Sequence, residues 1–161
     1  MSEVILVVLH RPETAPRLLA AAARLAELAG GAHAIRAALD PAALLNDASM
    51  PEAMVDELRA AERDRVATLK ATFERWTTEV PDAFLSSEWC AAEGQPDGPV
   101  EAHGRRADFL VTARSLPGDD WPVRQAFKTA LLRTERPVLV VPPAPASADG
   151  FGRQGGRCLA R

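Results

Sequence analysis

The fold is decided by Val4-Ile5-Leu6-Val7-Val8-Leu9, an unbroken apolar run rich in β-branched residues. A run of this length without polar alternation predicts a strand that is buried on both faces. His10-Arg11-Pro12 ends the strand, and apolar residues then recur at helical spacing from 13 to 29. The chain therefore opens with a predicted β-strand and a predicted amphipathic helix. One apolar stripe of that helix is expected to face the core: Leu18, Ala22, Leu25 and Ala29.

The same alternation of strand and helix continues through the chain. Further strands are predicted over 33–39, 83–92, 108–112 and 137–142. Further helices are predicted from 51 to the Pro81-Asp82 pair, from 100 to 106 and from 120 to 133. The first of these is the longest, and only Glu62 interrupts its apolar stripe of Val55, Leu58, Val66, Leu69, Phe73 and Trp76. Strands that alternate with helices predict a parallel sheet with helices on both faces.

These elements predict one Rossmann-like, doubly wound α/β domain over residues 1–143, with five parallel strands. The length of 161 residues suits a single domain. After Pro143 the chain is rich in alanine, glycine, proline and arginine and has no hydrophobic period. We therefore expect residues 144–161 to form a flexible tail.

Composition excludes several classes of protein. With 19 Lys and Arg against 22 Asp and Glu, the net charge of −3 disfavours a nucleic-acid binder. No run approaches the roughly 20 apolar residues of a membrane span, and the start lacks a basic signal region, so we expect a cytoplasmic protein that does not bind membranes. Cys90 and Cys158 are too few for a disulfide framework or a zinc site, which fits a reducing compartment. Cys158 lies in the predicted tail.

The candidate binding site follows from the predicted topology. A doubly wound sheet binds ligands beyond the carboxyl ends of its strands, where the winding direction reverses. His10 and Arg11 follow the first predicted strand, Leu39 ends the second, and Arg114 and Ser115 follow the fourth. Their side chains and backbone N–H groups could converge on an anion. The alternative is that these arginines are ordinary solvated residues at strand ends.

Sequence motifs for catalysis are missing. The chain contains no GxxxxGK[ST], GxGxxG, HExxH, CxxC or GxSxG string. The histidines His10, His33 and His103 are scattered, and nothing in their spacing indicates a metal site. We therefore expect a protein that is not an enzyme and holds no metal.

Four segments resemble the universal stress protein family: the opening strand with its alanine-rich helix, Ser87-Glu88-Trp89-Cys90-Ala91-Ala92-Glu93-Gly94, Arg105-Arg106-Ala107-Asp108-Phe109-Leu110-Val111, and Arg136-Pro137-Val138-Leu139-Val140-Val141-Pro142. Their order and spacing carry the likeness, which covers roughly 3–143. The resemblance implies the strand order 3-2-1-4-5 and an architecture like that of the adenine nucleotide alpha hydrolases.

Members of that family that bind ATP have a glycine pair after strand four and, about nine residues later, a glycine with Ser or Thr, which together cradle phosphate. Matched forward from strand four, those glycine positions hold Ala113, Leu116 and Ala126, with Phe127 in place of the hydroxyl. Matched backward from Pro137, the last pair falls on Arg124 and Gln125. His10 replaces the family's acidic residue after strand one. We therefore expect no ATP cofactor.

The resemblance further implies a homodimer formed through the edge strand Val138, Leu139, Val140 and Val141. The favoured function is a universal stress protein-like module that binds a partner or small ligand without turnover. One alternative is an adenine-nucleotide binder, with slow hydrolysis as an option, that uses Arg114, Ser115 and Gly118 near phosphate. Another is a scaffolding protein whose long second helix docks a partner through surface charges such as Arg59 and Arg63.

Overall fold

The computed structural model describes residues 3–29, 33–39, 51–80, 86–90, 97–119 and 121–142. The elements alternate along the chain. The strands are β1 (Glu3–Leu9), β2 (His33–Leu39), β3 (Ser86–Cys90), β4 (Phe109–Ala113) and β5 (Val138–Val141). The helices are α1 (Ala15–Ala29), α2 (Glu52–Glu79), α3 (Asp97–Gly104) and α4 (Trp121–Leu132). The predicted α/β class is confirmed. The predicted tail and Cys158 lie outside the described residues.

The strands form one sheet in the order β3-β2-β1-β4-β5, and each neighbouring pair is parallel. From β1 the chain adds β2 and β3 on one side of the sheet and later adds β4 and β5 on the other. β1 and β4 are therefore the pair between which the winding direction reverses. Their register sets Val8 beside Thr112, so their carboxyl ends lie side by side.

The central strand explains why the sheet has two cores. Every side chain from Ile5 to Leu9 is 0% exposed. Because successive side chains on a strand point to opposite faces, these residues divide between two clusters. Ile5, Val7 and Leu9 pack with α1 and α2, whereas Leu6 and Val8 pack with α3 and α4. The prediction that this strand is buried on both faces is confirmed.

Only the second half of α2 packs as predicted. Leu69, Phe73 and Trp76 are buried, but Leu58 is 43% exposed and Met54 is 52% exposed. At 28 residues the helix is about 42 Å long, whereas the seven residues of β1 span about 23 Å. The sheet is too short to cover the whole apolar stripe.

The bounds and faces of two other helices also differ from prediction. α1 begins at Ala15, because the carbonyl of Arg11 accepts the N–H groups of Thr14 and Ala15 in a preceding turn. α1 buries Leu18, Leu19, Ala22 and Ala26, so the predicted stripe is rotated and Ala29 is exposed. α3 begins at Asp97 rather than 100 because its first turn accommodates a proline. Among the described helices, none has the length and apolar character needed to cross a bilayer.

Candidate functional site

The candidate site lies at the carboxyl ends of β1 and β4. His10 and Arg11 follow β1 directly, and Arg114 and Ser115 follow β4. Since the two strands are neighbours, the structure places these two pairs next to each other, as the sequence predicted. Leu39 ends β2 beside Leu9, so it lies at the same edge. Whether these residues bind a ligand stays a prediction.

Arg11 forms an ion pair with Asp119, from the loop between β4 and α4. The Asp119 side chain is only 4% exposed, whereas that of Arg11 is 39% exposed. The second carboxylate oxygen of Asp119 accepts the backbone N–H of Leu116 at 2.7 Å. The hydroxyl of Ser115 also donates a hydrogen bond to this carboxylate. Three donors from the two strand ends therefore converge on one buried anion.

The donors keep Asp119 ionised. Burial by itself raises the pKa of this carboxyl group, since it disfavours the charged form. The hydrogen bond from Leu116, and then the hydrogen bond and charge of Arg11, outweigh burial, so the pKa of Asp119 lies below its ordinary value of 3.8. The candidate site thus contains a fixed negative charge at neutral pH.

A second arginine connects the same edge to α2. Arg65 donates to the backbone carbonyl of His10, and its Nε and Nη2 bond the two Glu62 oxygens at 2.7 and 2.6 Å. The Arg65 and Glu62 side chains are 21% and 18% exposed, so this bidentate pair is largely shielded from water. His10 itself is buried, with 3% exposure. The pair therefore attaches α2 to the end of β1.

Two backbone N–H groups of the loop after β4 already donate hydrogen bonds to backbone carbonyls. The N–H of Arg114 bonds the carbonyl of Val141, and the N–H of Asp119 bonds the carbonyl of Leu116, at 2.9 and 3.0 Å. The Arg114 side chain is exposed, and no ion pair involves it within the described ranges. A Cβ added at Gly118 would meet nothing within 4 Å, and the backbone there is not left-handed. The place of Gly118 near a phosphate therefore stays a prediction.

Three residues of this site were not predicted from the sequence as site residues: Asp119, Arg65 and Glu62. Asp119 follows no strand directly, and its partner is 108 positions away. Glu62 did leave a signal, because it was the only charged residue on the apolar stripe of α2. A charge on an otherwise buried face needs a partner, and Arg65 stands three positions later on the same helix.

Other predicted features take no part in these contacts. Trp76 packs in the core against Phe73, and Trp89 lies 5.7 Å from the same ring. Arg59 is exposed on α2 and lies 3.6 Å from Asp56. Arg63 is also exposed, and partner docking through this helix stays a prediction. Within the described residues, no group of three His, Cys, Asp or Glu side chains could hold a metal ion.

Several solved structures resemble this chain in fold. UspA from Lactobacillus plantarum is 16% identical with a TM-score of 0.58, and the match covers 86% of this chain and 97% of that one. A universal stress protein from Archaeoglobus fulgidus is 14% identical with a TM-score of 0.54, covering 87% and 98%. A member of that family from Burkholderia pseudomallei is 22% identical with a TM-score of 0.47, covering 87% and 96%.

Sequence comparisons gave no match, either to a family model or to a curated protein. The likeness therefore rests on three-dimensional structure. The superpositions on the Lactobacillus and Archaeoglobus proteins each include nearly the whole of the other chain. They show that this protein has the fold of a universal stress protein.

Proposed function

We propose that the protein is a universal stress protein-like module of the cytoplasm that acts by binding, as a homodimer, without ATP and without catalysis. The fold and the four sequence segments that resemble the family support the general role. Because one fold serves many functions, the proposal depends on the residues of the candidate site, called here the crevice, at the carboxyl ends of β1 and β4. They support a module that does not use nucleotide phosphate.

The observation that carries the proposal is the buried carboxylate of Asp119. Phosphate cradles use backbone N–H groups, hydroxyls and arginines as donors. In this crevice the Leu116 N–H, the Ser115 hydroxyl and the Arg11 guanidinium already donate to Asp119. A phosphate group would have to displace this carboxylate or lie beside it, where two negative charges in a shielded site repel each other.

The proposal is tested by thermal shift and isothermal titration with ATP, AMP, inorganic phosphate and sulfate at millimolar concentration. We expect no saturable stabilisation of the wild-type protein and no nucleotide absorbance in the purified sample. Tight, stoichiometric binding of ATP would overturn the proposal. In that case a loss of ATP binding in Arg114→Ala would identify the competing function, an adenine-nucleotide binder. The exposed Arg114 side chain is the cation that its non-standard nucleotide loop would use.

The proposed dimer interface is the outer edge of β5. Among the described residues, β5 pairs with β4 only. The carbonyls of Pro137 and Val141 accept hydrogen bonds from N–H groups of β4 and of the residue that follows it, at 2.9 Å each. Bonding to one neighbour uses every second residue of a parallel strand, so the N–H groups of Val138 and Val140 face the outer edge. An apolar edge with outward donors is suited to pairing with a second copy.

One pair of substitutions tests this interface. Val140→Pro removes an outward donor and leaves the β4 hydrogen bonds in place, whereas Val140→Thr keeps the donor and the branched shape. Sedimentation at micromolar concentration is expected to give a dimer for the wild type and for Val140→Thr, and a monomer for Val140→Pro. A monomeric wild type would overturn the dimer, and so would a folded Val140→Pro protein as dimeric as Val140→Thr.

A further inference from the structure

We infer that Asp119 is the specificity-determining residue of the crevice: its carboxylate is an internal ligand in an oxyanion site formed by Arg11, Ser115 and the Leu116 N–H. The inference rests on the proposed function, since it explains why the crevice excludes nucleotide phosphate. It goes further by stating that the donors form a binding site in their own right. Small oxyanions enter that site once the Asp119 carboxylate is removed.

The donor set has the composition of an anion site. It combines a guanidinium, a backbone N–H and a hydroxyl, which come from the ends of two neighbouring strands. Guanidinium and N–H donors bind carboxylate, phosphate and sulfate alike, because each of these anions presents several acceptor oxygens. The donors are shared between the two Asp119 oxygens, as they would be on an external oxyanion.

The backbone holds these donors in place without Asp119. The carbonyl of Arg11 accepts the N–H groups of Thr14 and Ala15, at 3.2 and 3.1 Å, and this fixes the turn from which the guanidinium extends. The N–H of Arg114 bonds the carbonyl of Val141 and anchors the start of the loop. The Arg11 side chain is 39% exposed, so an anion from solvent can reach it.

The second paired arginine at this edge, Arg65, does not compete for the anion. Arg65 is committed to both Glu62 oxygens and to the carbonyl of His10. Its charge is balanced by Glu62, whereas the charge of Arg11 is balanced by Asp119. Replacing Asp119 with a neutral residue therefore leaves the charge of Arg11 unbalanced and a set of donors with no acceptor. That combination favours one small anion rather than a cation or a neutral ligand.

The tether explains why Asp119 prevails over external anions in the wild-type protein. It lies three positions after Leu116, and its own N–H closes the turn on the Leu116 carbonyl at 3.0 Å. A group held on a short tether has a millimolar or higher effective concentration. Free phosphate or sulfate at about that concentration gains no advantage over it.

A purely structural role for Asp119 makes a different prediction. If the carboxylate only closes the turn, replacing it weakens the fold, but no anion takes its place. If it is an internal ligand, the Asp119→Ala protein loses stability and recovers it when formate, sulfate or phosphate is added. Formate restores the missing carboxylate, whereas sulfate and phosphate show that the site accepts tetrahedral oxyanions.

The experiment compares wild type, Asp119→Ala and the double variant Arg11→Gln/Asp119→Ala by thermal shift and titration with formate, sulfate and phosphate. Chloride at equal ionic strength measures the general salt effect. The matched control is Asp108→Ala, because the Asp108 carboxylate also accepts a backbone N–H, from Val4 at 2.8 Å, but at the opposite end of the sheet. Asp119→Asn keeps the size of the side chain and serves if the alanine variant does not fold.

We expect Asp119→Ala to bind at least one oxyanion about tenfold more tightly than the wild type and to be stabilised in a saturable way. The gain should be lost in the double variant and absent from Asp108→Ala. An Asp119 variant that responds to all three anions no more than the wild type or the double variant would sink the inference. That result leaves the proposed absence of nucleotide binding standing, because that part of the proposed function fails only if the wild-type protein itself binds ATP.

Discussion

The two ends of the sheet both carry arginines, but they use them differently. At the carboxyl ends of the strands, Arg11 and Arg65 are paired with the well-shielded carboxylates of Asp119 and Glu62. At the amino ends of β4 and β5, Arg105 donates to the carbonyl of Arg133 at 3.3 Å, and Arg136 donates to the carbonyl of Arg105 at 2.9 Å.

At the amino end, one carboxylate contacts two arginines instead of pairing with a single one. Glu101 lies 2.9 Å from Arg105 and 3.6 Å from Arg133, and both arginine side chains are more than half exposed. A surface cavity of about 400 Å³ lies beside the turns that follow α3 and α4. It is lined by Arg105, Thr134, Glu135 and Arg136. Ion pairs in such exposed positions contribute little to stability. The amino end is therefore organised by packing and backbone bonds, and the carboxyl end by charge.

The largest expected effect tests packing at the amino end. A Cβ added at Gly104 would lie 2.5 Å from Cγ2 of Thr134 and 3.3 Å from Leu110. Both neighbours are buried, so Gly104→Ala should lower the free energy of unfolding by about 2 kcal/mol through overpacking. Urea denaturation measures this loss.

Two further substitutions identify the contact that is responsible. Thr134→Ser removes the crowded methyl group and keeps the hydroxyl that donates to the carbonyl of Ala130 at 2.7 Å. In the Gly104→Ala background it should recover part of the lost stability. Gly98→Ala, in the same helix with open space around it, should cost nothing. Equal losses for Gly98→Ala and Gly104→Ala would contradict the packing account.

The second prediction compares the two glutamates that each contact arginine. Glu62→Gln leaves the shielded Arg65 without its bidentate partner and should cost about 1–2 kcal/mol of unfolding free energy. Glu101→Gln acts on exposed arginines and should cost no more than about 0.5 kcal/mol. Urea denaturation of the two variants under the same buffer conditions measures both losses. Similar losses for the two variants would remove the distinction between the ends of the sheet.

The third prediction concerns backbone strain near the amino end. Glu135 has a φ of 57°, a left-handed conformation that costs an L-residue about 1–2 kcal/mol. Glu135→Gly relieves this cost but adds the chain entropy of glycine, so we expect a net gain of up to about 1 kcal/mol. Glu135→Ala removes the charge and keeps the strain, so its melting temperature should not rise. If both variants gain equally, the charge of Glu135 is the cause and not its backbone.

The main architecture could be predicted from local sequence. The run from Val4 to Leu9 has no polar position and is rich in β-branched residues, which favours a strand covered on both faces. The length of the long helix was also evident, but the sequence could not show where the sheet ends beneath it. Leu58 fits the apolar stripe as well as Leu69 does, yet only Leu69 is buried.

The site was predictable in position but not in its bonding. Strand ends identified Arg11 and Ser115, because the α/β alternation fixes which ends meet. The partner of Arg11 is 108 positions away, and Arg65 reaches His10 across 55 positions. Such pairings depend on loop conformations that no local pattern encodes. An arginine at a strand end is therefore compatible with both an open anion site and one already filled by the chain.

The smallest expected effect is a pH dependence that reports on the charge at the carboxyl end. The folded pKa of Asp119 lies below the ordinary value of 3.8, so as pH falls the unfolded chain takes up a proton first. The stability that Asp119 contributes is therefore complete above that ordinary value and is lost as pH falls through the folded pKa.

The difference in unfolding free energy between wild type and Asp119→Asn should be constant above about pH 5 and should narrow below about pH 4. Urea denaturation at a series of pH values measures it, and a difference that widens on acidification would mean that burial, rather than its donors, dominates the pKa of Asp119.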